Sequence, residues 1–238
     1  MASRVTQGVV SVCLRRLIAL GVLAFAVVAL PATASSTVLV PGDSATSIDV
    51  FSDAPGTLIA SLTDPFTIDS TGSAILNGVF ITKIYQETPT SPYDYYFQVV
   101  VSSGTGDAID AFRTAVFPGS VLTDVYYMTT APAGSSFVTP TVGNTPSEIE
   151  RGLDALDVSF FPPPGNTIAP VEASAIIVVR TNVAYYGPGT ASILANQSVN
   201  AASFAPIPEP GSLLLLGSGL AGLATMARVR QRRRRAGS

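Results

Sequence analysis

The run Gly211–Ala227 holds 17 residues without a single charge, between the tripeptide Pro208-Glu209-Pro210 and six arginines, Arg228, Arg230, Arg232, Arg233, Arg234 and Arg235. That order of signals fits no segment of a water-soluble core. At about 1.5 Å per residue the run makes a helix of roughly 25 Å, the short limit for crossing a bilayer. Leu213–Leu216 supply the hydrophobicity. Gly217, Gly219 and Gly222 weaken a helix in water but are common in membrane helices. Ser218 and Gly222 are small enough to let another helix approach closely, although they serve equally well as filler. Arginines that follow an apolar helix are retained in the cytoplasm, which places the tripeptide just outside the membrane. Its two prolines lack backbone donors and bias Ile207 and Glu209 towards extended conformations. The tripeptide is therefore expected to be exposed and non-helical, a form that suits recognition by a processing enzyme.

The other end is also a targeting signal. Arg4, Arg15 and Arg16 form a basic front, Leu17–Leu30 an apolar core of 14 residues, and Pro31 ends it. Ala32, Thr33 and Ala34 are small residues suited to cleavage before Ser35. Residues 1–34 thus read as a secretory signal peptide handled by the translocon. The apolar core is too short to be the better candidate for a second membrane helix. The surroundings of Arg15-Arg16 fit a twin-arginine signal poorly, which favours the general secretory route. Cys13, the only cysteine, precedes the apolar core and leaves with the signal. The mature chain then has no thiol and no disulfide, and its stability must come from a core. The expected division is residues 1–34 as signal peptide, 35–206 as exported body, and 207–238 as anchor. Within the anchor, 211–227 is the transmembrane helix and 228–238 the basic tail.

The C-terminal order of Pro208-Glu209-Pro210, apolar helix and arginine tail resembles the PEP-CTERM sorting signal of bacterial surface proteins. The resemblance implies a Gram-negative, exopolysaccharide-producing cell and an exosortase, a membrane enzyme, as processing partner. Two body phrases are similar to other precursors of this kind. These are Pro55-Gly56-Thr57-Leu58 followed by Pro65-Phe66, and the aromatic stretch Tyr93-Asp94-Tyr95-Tyr96-Phe97-Gln98-Val99. Neither carries a catalytic motif. The name "ice-binding protein C-terminal domain" is attached to tails of this kind, but a membrane segment without a regular threonine array gives ice binding little support.

The whole chain has a formal net charge of −3, which hides a strongly acidic body. From Ser35 to Pro206 only Lys83, Arg113, Arg151 and Arg180 are basic, against 15 acidic residues, for a net charge of −11. Such a body argues against nucleic acid and anionic lipid as partners. Its size suffices for one domain with a proper core.

The body reads as all-β. Val, Ile, Thr, Tyr and Phe are frequent, with Gly, Pro, Ser and Asp as punctuation. Strands are expected at 37–40, 48–51, 57–62, 75–86, 93–102, 109–116, 121–129, 156–161, 173–181 and 198–204. Gly78 marks a candidate bulge, and 75–86 with 93–102 forms a hairpin around a proline-marked loop. Tyr95, Phe97, Val99 and Val101 share one face of the return strand, which predicts one buried face. The unbroken apolar run Ala175–Val179 predicts a central strand covered on both faces. Gly187-Pro188-Gly189 reads as a break, and Glu148–Leu156 is the nearest approach to a helix. The resulting fold class is an antiparallel β-sandwich ectodomain, flanked by an N-terminal signal-peptide helix and a C-terminal transmembrane helix.

Chemistry is sparse. Without His, no Ser-His-Asp or Cys-His machinery and no His-containing metal site can form. Lys83 is the only lysine and is expected to face solvent from its strand. Asp107 with Asp110, or Glu148, Glu150, Asp154 and Asp157, are candidate carboxylate pairs for glycoside hydrolysis. Asp107 and Asp110, with the carbonyls of Gly104 and Gly106, are the first guess for Ca²⁺, against surface solubility as the simpler role. All eight tyrosines lie in the body. Alternation in a strand predicts Tyr96, one of Tyr126 and Tyr127, and one of Tyr185 and Tyr186 on an outer patch able to stack on sugars. Ordinary cross-strand pairing explains the same residues.

The favoured reading is an exported, non-enzymatic surface or extracellular-matrix protein with a structural or adhesive role. It needs no cofactor or metal and passes transiently through the inner membrane by 211–227. An exopolysaccharide-binding module is the alternative, and a carboxylate-based exported hydrolase comes third.

Overall fold

The computed structural model describes residues 37–70, 74–115, 117–118, 120–161 and 166–207. They form thirteen strands and no helix. In chain order these are β1 (Thr37–Leu39), β2 (Ser44–Ala45), β3 (Asp49–Val50), β4 (Thr57–Ser70), β5 (Ala74–Gln86), β6 (Tyr93–Gly104) and β7 (Ala111–Ala115). There follow β8 (Thr123–Met128), β9 (Glu148–Arg151), β10 (Ala155–Ser159), β11 (Ile176–Thr181), β12 (Tyr186–Leu194) and β13 (Ser198–Pro206).

The strands make two sheets. One runs β1-β8-β11-β6-β5-β4, with β3 beside β8; the other runs β13-β12-β7-β10-β9-β2. Pairing is antiparallel except for β3, whose two residues run parallel to β8. The long β5–β6 hairpin appears where alternation places it, with Gln86 opposite Tyr93. Its register shifts between Asn77 and Gly78, the position that reads as a bulge in the sequence.

One core lies between the inner faces of the two sheets. Phe80, Phe97 and Val99 from the first sheet pack with Phe112 and Ile193 from the second and with Phe160, just after β10. The Phe80 and Phe112 rings meet edge to face at 5.3 Å, a favoured aromatic geometry. Thr82 and Ser203 hydroxyls hydrogen-bond at 3.2 Å where β5 meets β13. The amide of Ala202 on β13, an edge strand, donates to the Asp64 carboxylate of β4 at 2.7 Å. That side chain satisfies a ladder group which β12 cannot reach.

A second core covers the outer face of the first sheet. Ile81, Tyr85, Tyr96, Tyr126, Met128, Ile176 and Val178 are roofed there by Phe51 and Phe137. Both rings come from irregular segments. Gln98, fully buried on β6, holds one of these segments down. Its amide nitrogen donates to the Val138 carbonyl at 2.7 Å, and its oxygen accepts from the Val138 amide at 3.0 Å. The side chain thus pairs with Val138 much as a neighbouring strand would.

Three expectations are corrected. The strand 93–102 has two buried faces over most of its length, because the roof covers the second. Gly187-Pro188-Gly189 lies inside β12. Pro188 is tolerated there because β7 pairs only with Ala191–Leu194, leaving β12 with a single neighbour at Pro188. Glu148–Leu156 is two strands joined by a turn: Ile149 and Arg151 point inward and Glu150 outward, a period of two.

Candidate functional site

The C-terminal site begins where the fold ends. β13 closes at Pro206, and the Ile207 amide donates to the Tyr185 carbonyl at 3.0 Å. Ile207 also packs over Gly187, where a Cβ would collide with its side chain. Ala205 and Pro206 therefore belong to the last strand of the body. Pro208, Glu209 and Pro210, the expected helix over 211–227, and Arg228, Arg230, Arg232, Arg233, Arg234 and Arg235 lie outside the described residues. So do Ala32, Ala34 and Ser35 of the signal-peptide junction.

Exposed aromatic surface adjoins this exit. Tyr185 and Tyr186 are both exposed, and Tyr186 packs against Tyr93 and Phe204. The outer patch expected from strand alternation is otherwise not formed. Tyr96 is fully buried, Tyr126 is buried and Tyr127 is half-buried.

The acidic candidates are dispersed. Asp107 accepts from the Asn196 amide at 2.6 Å. Burial, and then the nearby Asp107, push the Asp110 carboxyl up from its ordinary range. Arg113 sits 3.7 Å from both Asp154 and Asp157 on the surface of the second sheet. Burial raises the Asp157 carboxyl, and Arg113 opposes that rise. Among the described residues no three acidic side chains converge as a metal site requires.

The outer face of the first sheet is the more unusual environment. Lys83, expected to face solvent, is 2% exposed. Its Nζ stands over the Phe137 ring, 4.7 Å from the centroid, a cation–π contact. No carboxylate among the described residues lies within ion-pair distance of it. Burial holds its pKa below the ordinary lysine value. Lys83 lines a cavity of about 490 Å³ together with Asp53, Tyr85, Thr130, Pro132 and Ser135. The Ser135 hydroxyl is buried without a hydrogen-bond partner among the described residues. Burial raises the Tyr85 hydroxyl pKa, so that group stays a neutral donor.

On the same face, directly opposite Tyr85, Asp94 is buried, with Arg180 Nε at 3.5 Å. Arg180 is shared with Glu87 and covers the Phe51 ring. Burial outweighs the shared arginine and pushes the Asp94 carboxyl up to about 7.

An all-β body whose last strand runs directly into a separate C-terminal signal defines a class: a folded cargo domain with an appended sorting segment. A family model, the PEP-CTERM protein-sorting motif, matches residues 206–234. The chain thus carries the signal of an exosortase substrate, which implies export, a membrane-associated sorting segment and processing by that membrane enzyme. The match covers the tail and leaves the body unassigned. No curated protein and no solved structure matches the chain.

Proposed function

We propose that the body is an antiparallel β-sandwich ectodomain of a non-enzymatic surface or extracellular-matrix protein with a structural or adhesive role. Secretion removes residues 1–34, the helix 211–227 holds the precursor in the inner membrane, and processing near Pro208–Pro210 delivers the body outside. The observation that carries this reading is the sorting motif matched from residue 206, the last residue of β13. The two prolines bias the tripeptide towards an extended, exposed form that suits recognition by a processing enzyme. The acidic surface supports solubility outside the cell.

The test replaces Pro208, Glu209 and Pro210 with alanine in the full chain carrying a C-terminal tag, in a cell that makes an exosortase. The tagged precursor should accumulate in the membrane. Removal of the tag at the unaltered rate would contradict the reading. Glycan binding is the second reading, favoured by the exposed Tyr185 and Tyr186. Their replacement by alanine should then reduce retention on the producing cell's exopolysaccharide without changing processing.

A further inference from the structure

Burying an ammonium group is costly unless a counter-charge or hydrogen-bond acceptors compensate it. Lys83 has neither a carboxylate within 4.0 Å nor a hydrogen-bond acceptor among the described residues; its compensation there is the face of Phe137. A strand position of this kind is easily filled by an aliphatic residue of similar volume, so packing alone does not call for lysine. The ammonium is not among the fully buried unpartnered groups and opens onto a cavity whose size, about 490 Å³, is that of a small-molecule site. The same wall offers Tyr85 and apolar residues at Pro55 and Pro132.

We propose that this cavity binds a small ligand bearing a carboxylate on a ring-sized body, with Lys83 as the counter-ion. Tyr85 donates to the ligand's oxygens, and the prolines and the tyrosine ring pack against its body. The acidic surface of the domain repels anions elsewhere, so carboxylate binding depends on this local cation. Asp53 in the same lining disfavours a second negative charge on the ligand and sets a preference for monoanions. A uronic sugar and an aromatic acid share this chemistry. The site does not depend on how the chain is sorted.

Lys83 is the sole lysine of the chain, so ¹³C-lysine labelling gives one side-chain signal to follow. The full chain in neutral detergent is titrated with glucuronate, benzoate and glucose in turn. A saturable shift of the Lys83 signal with a carboxylate, and none with glucose, is the expected result. Saturation by glucuronate alone identifies an acidic sugar as the ligand class, and saturation by both acids identifies a general monocarboxylate site. Lys83→Met should weaken binding roughly thirtyfold or more, the effect of removing one partner of a buried charge pair. Since Met has no ε-ammonium to observe, binding to that variant is read by calorimetry. Lys83→Arg, which keeps the cation, should retain measurable binding even if Lys83→Met perturbs the fold. A shift with glucose equal to that with the acids, or no saturable shift with either acid, overturns the proposal.

Discussion

Arg151 is fully buried and has no carboxylate within ion-pair distance among the described residues. Four carbonyls hold it instead: Nη1 donates to Gly152 and Ala155, each at 3.0 Å, and Nη2 to Phe117 at 2.6 Å and Pro118 at 2.9 Å. The guanidinium thereby ties the segment after β7 to the turn between β9 and β10. Arg151→Ala leaves those carbonyls unsatisfied and should cost about 3 kcal/mol or more, measured by urea unfolding. Arg151→Lys should fail to restore it, because a single ammonium cannot reproduce the planar fork. Asp94 makes a prediction of the opposite kind. Its ordinary value is 3.8 and burial raises it to about 7, so the folded state holds a proton that the unfolded chain releases. The stability this gives is fully present below the unfolded value, and is lost as pH rises from about 4 to about 7. Burial shifts Asp110, Asp124 and Asp157 in the same direction. The chain should therefore melt at a higher temperature in mildly acidic than in alkaline buffer. Asp94→Asn should flatten much of that slope; an unchanged profile would remove Asp94 as its source.

The β4–β5–β6 meander is the element that the sequence describes best. Long runs of β-branched and aromatic residues, a proline-marked loop and one glycine specify the β5–β6 hairpin and its bulge, whereas β4 runs on to Ser70, past the strand expected at 57–62. At Gly78 the reason for glycine is a close approach: a Cβ would overlap the Val100 carbonyl oxygen and the Phe66 ring. Gly78→Ala should destabilise the fold by about 1–3 kcal/mol, with protection from hydrogen exchange lost first in β4 and β5. A neutral effect would show that the bulge can shift register. The central strand β11 was equally legible, since Ala175–Val179 is buried throughout. β2 and β9 were not, for a strand of two to four residues carries too little pattern. Lys83 and Tyr96 were misplaced for a different reason. Alternation along β5 and β6 correctly puts them on the outer face, but only the roof formed by Phe51 and Phe137 decides that this face is dry. Irregular segments have no period, so their long-range packing leaves no local signal.

For the whole molecule, targeting and body were legible to different degrees. The tail is linear: charge, prolines and an apolar run act in sequence order, and the motif at 206–234 is read without a fold. The candidate cavity depends on three segments distant in sequence, around residues 53, 83 and 130, and no motif joins them. The central claim is that one chain is a delivered body with two disposable ends. Intact-mass analysis of the protein recovered from the outside of a producing cell tests it most directly. The account predicts a chain that begins at Ser35 and has lost 211–238, arginine tail included. A mass that still contains Arg228–Arg235 would contradict it.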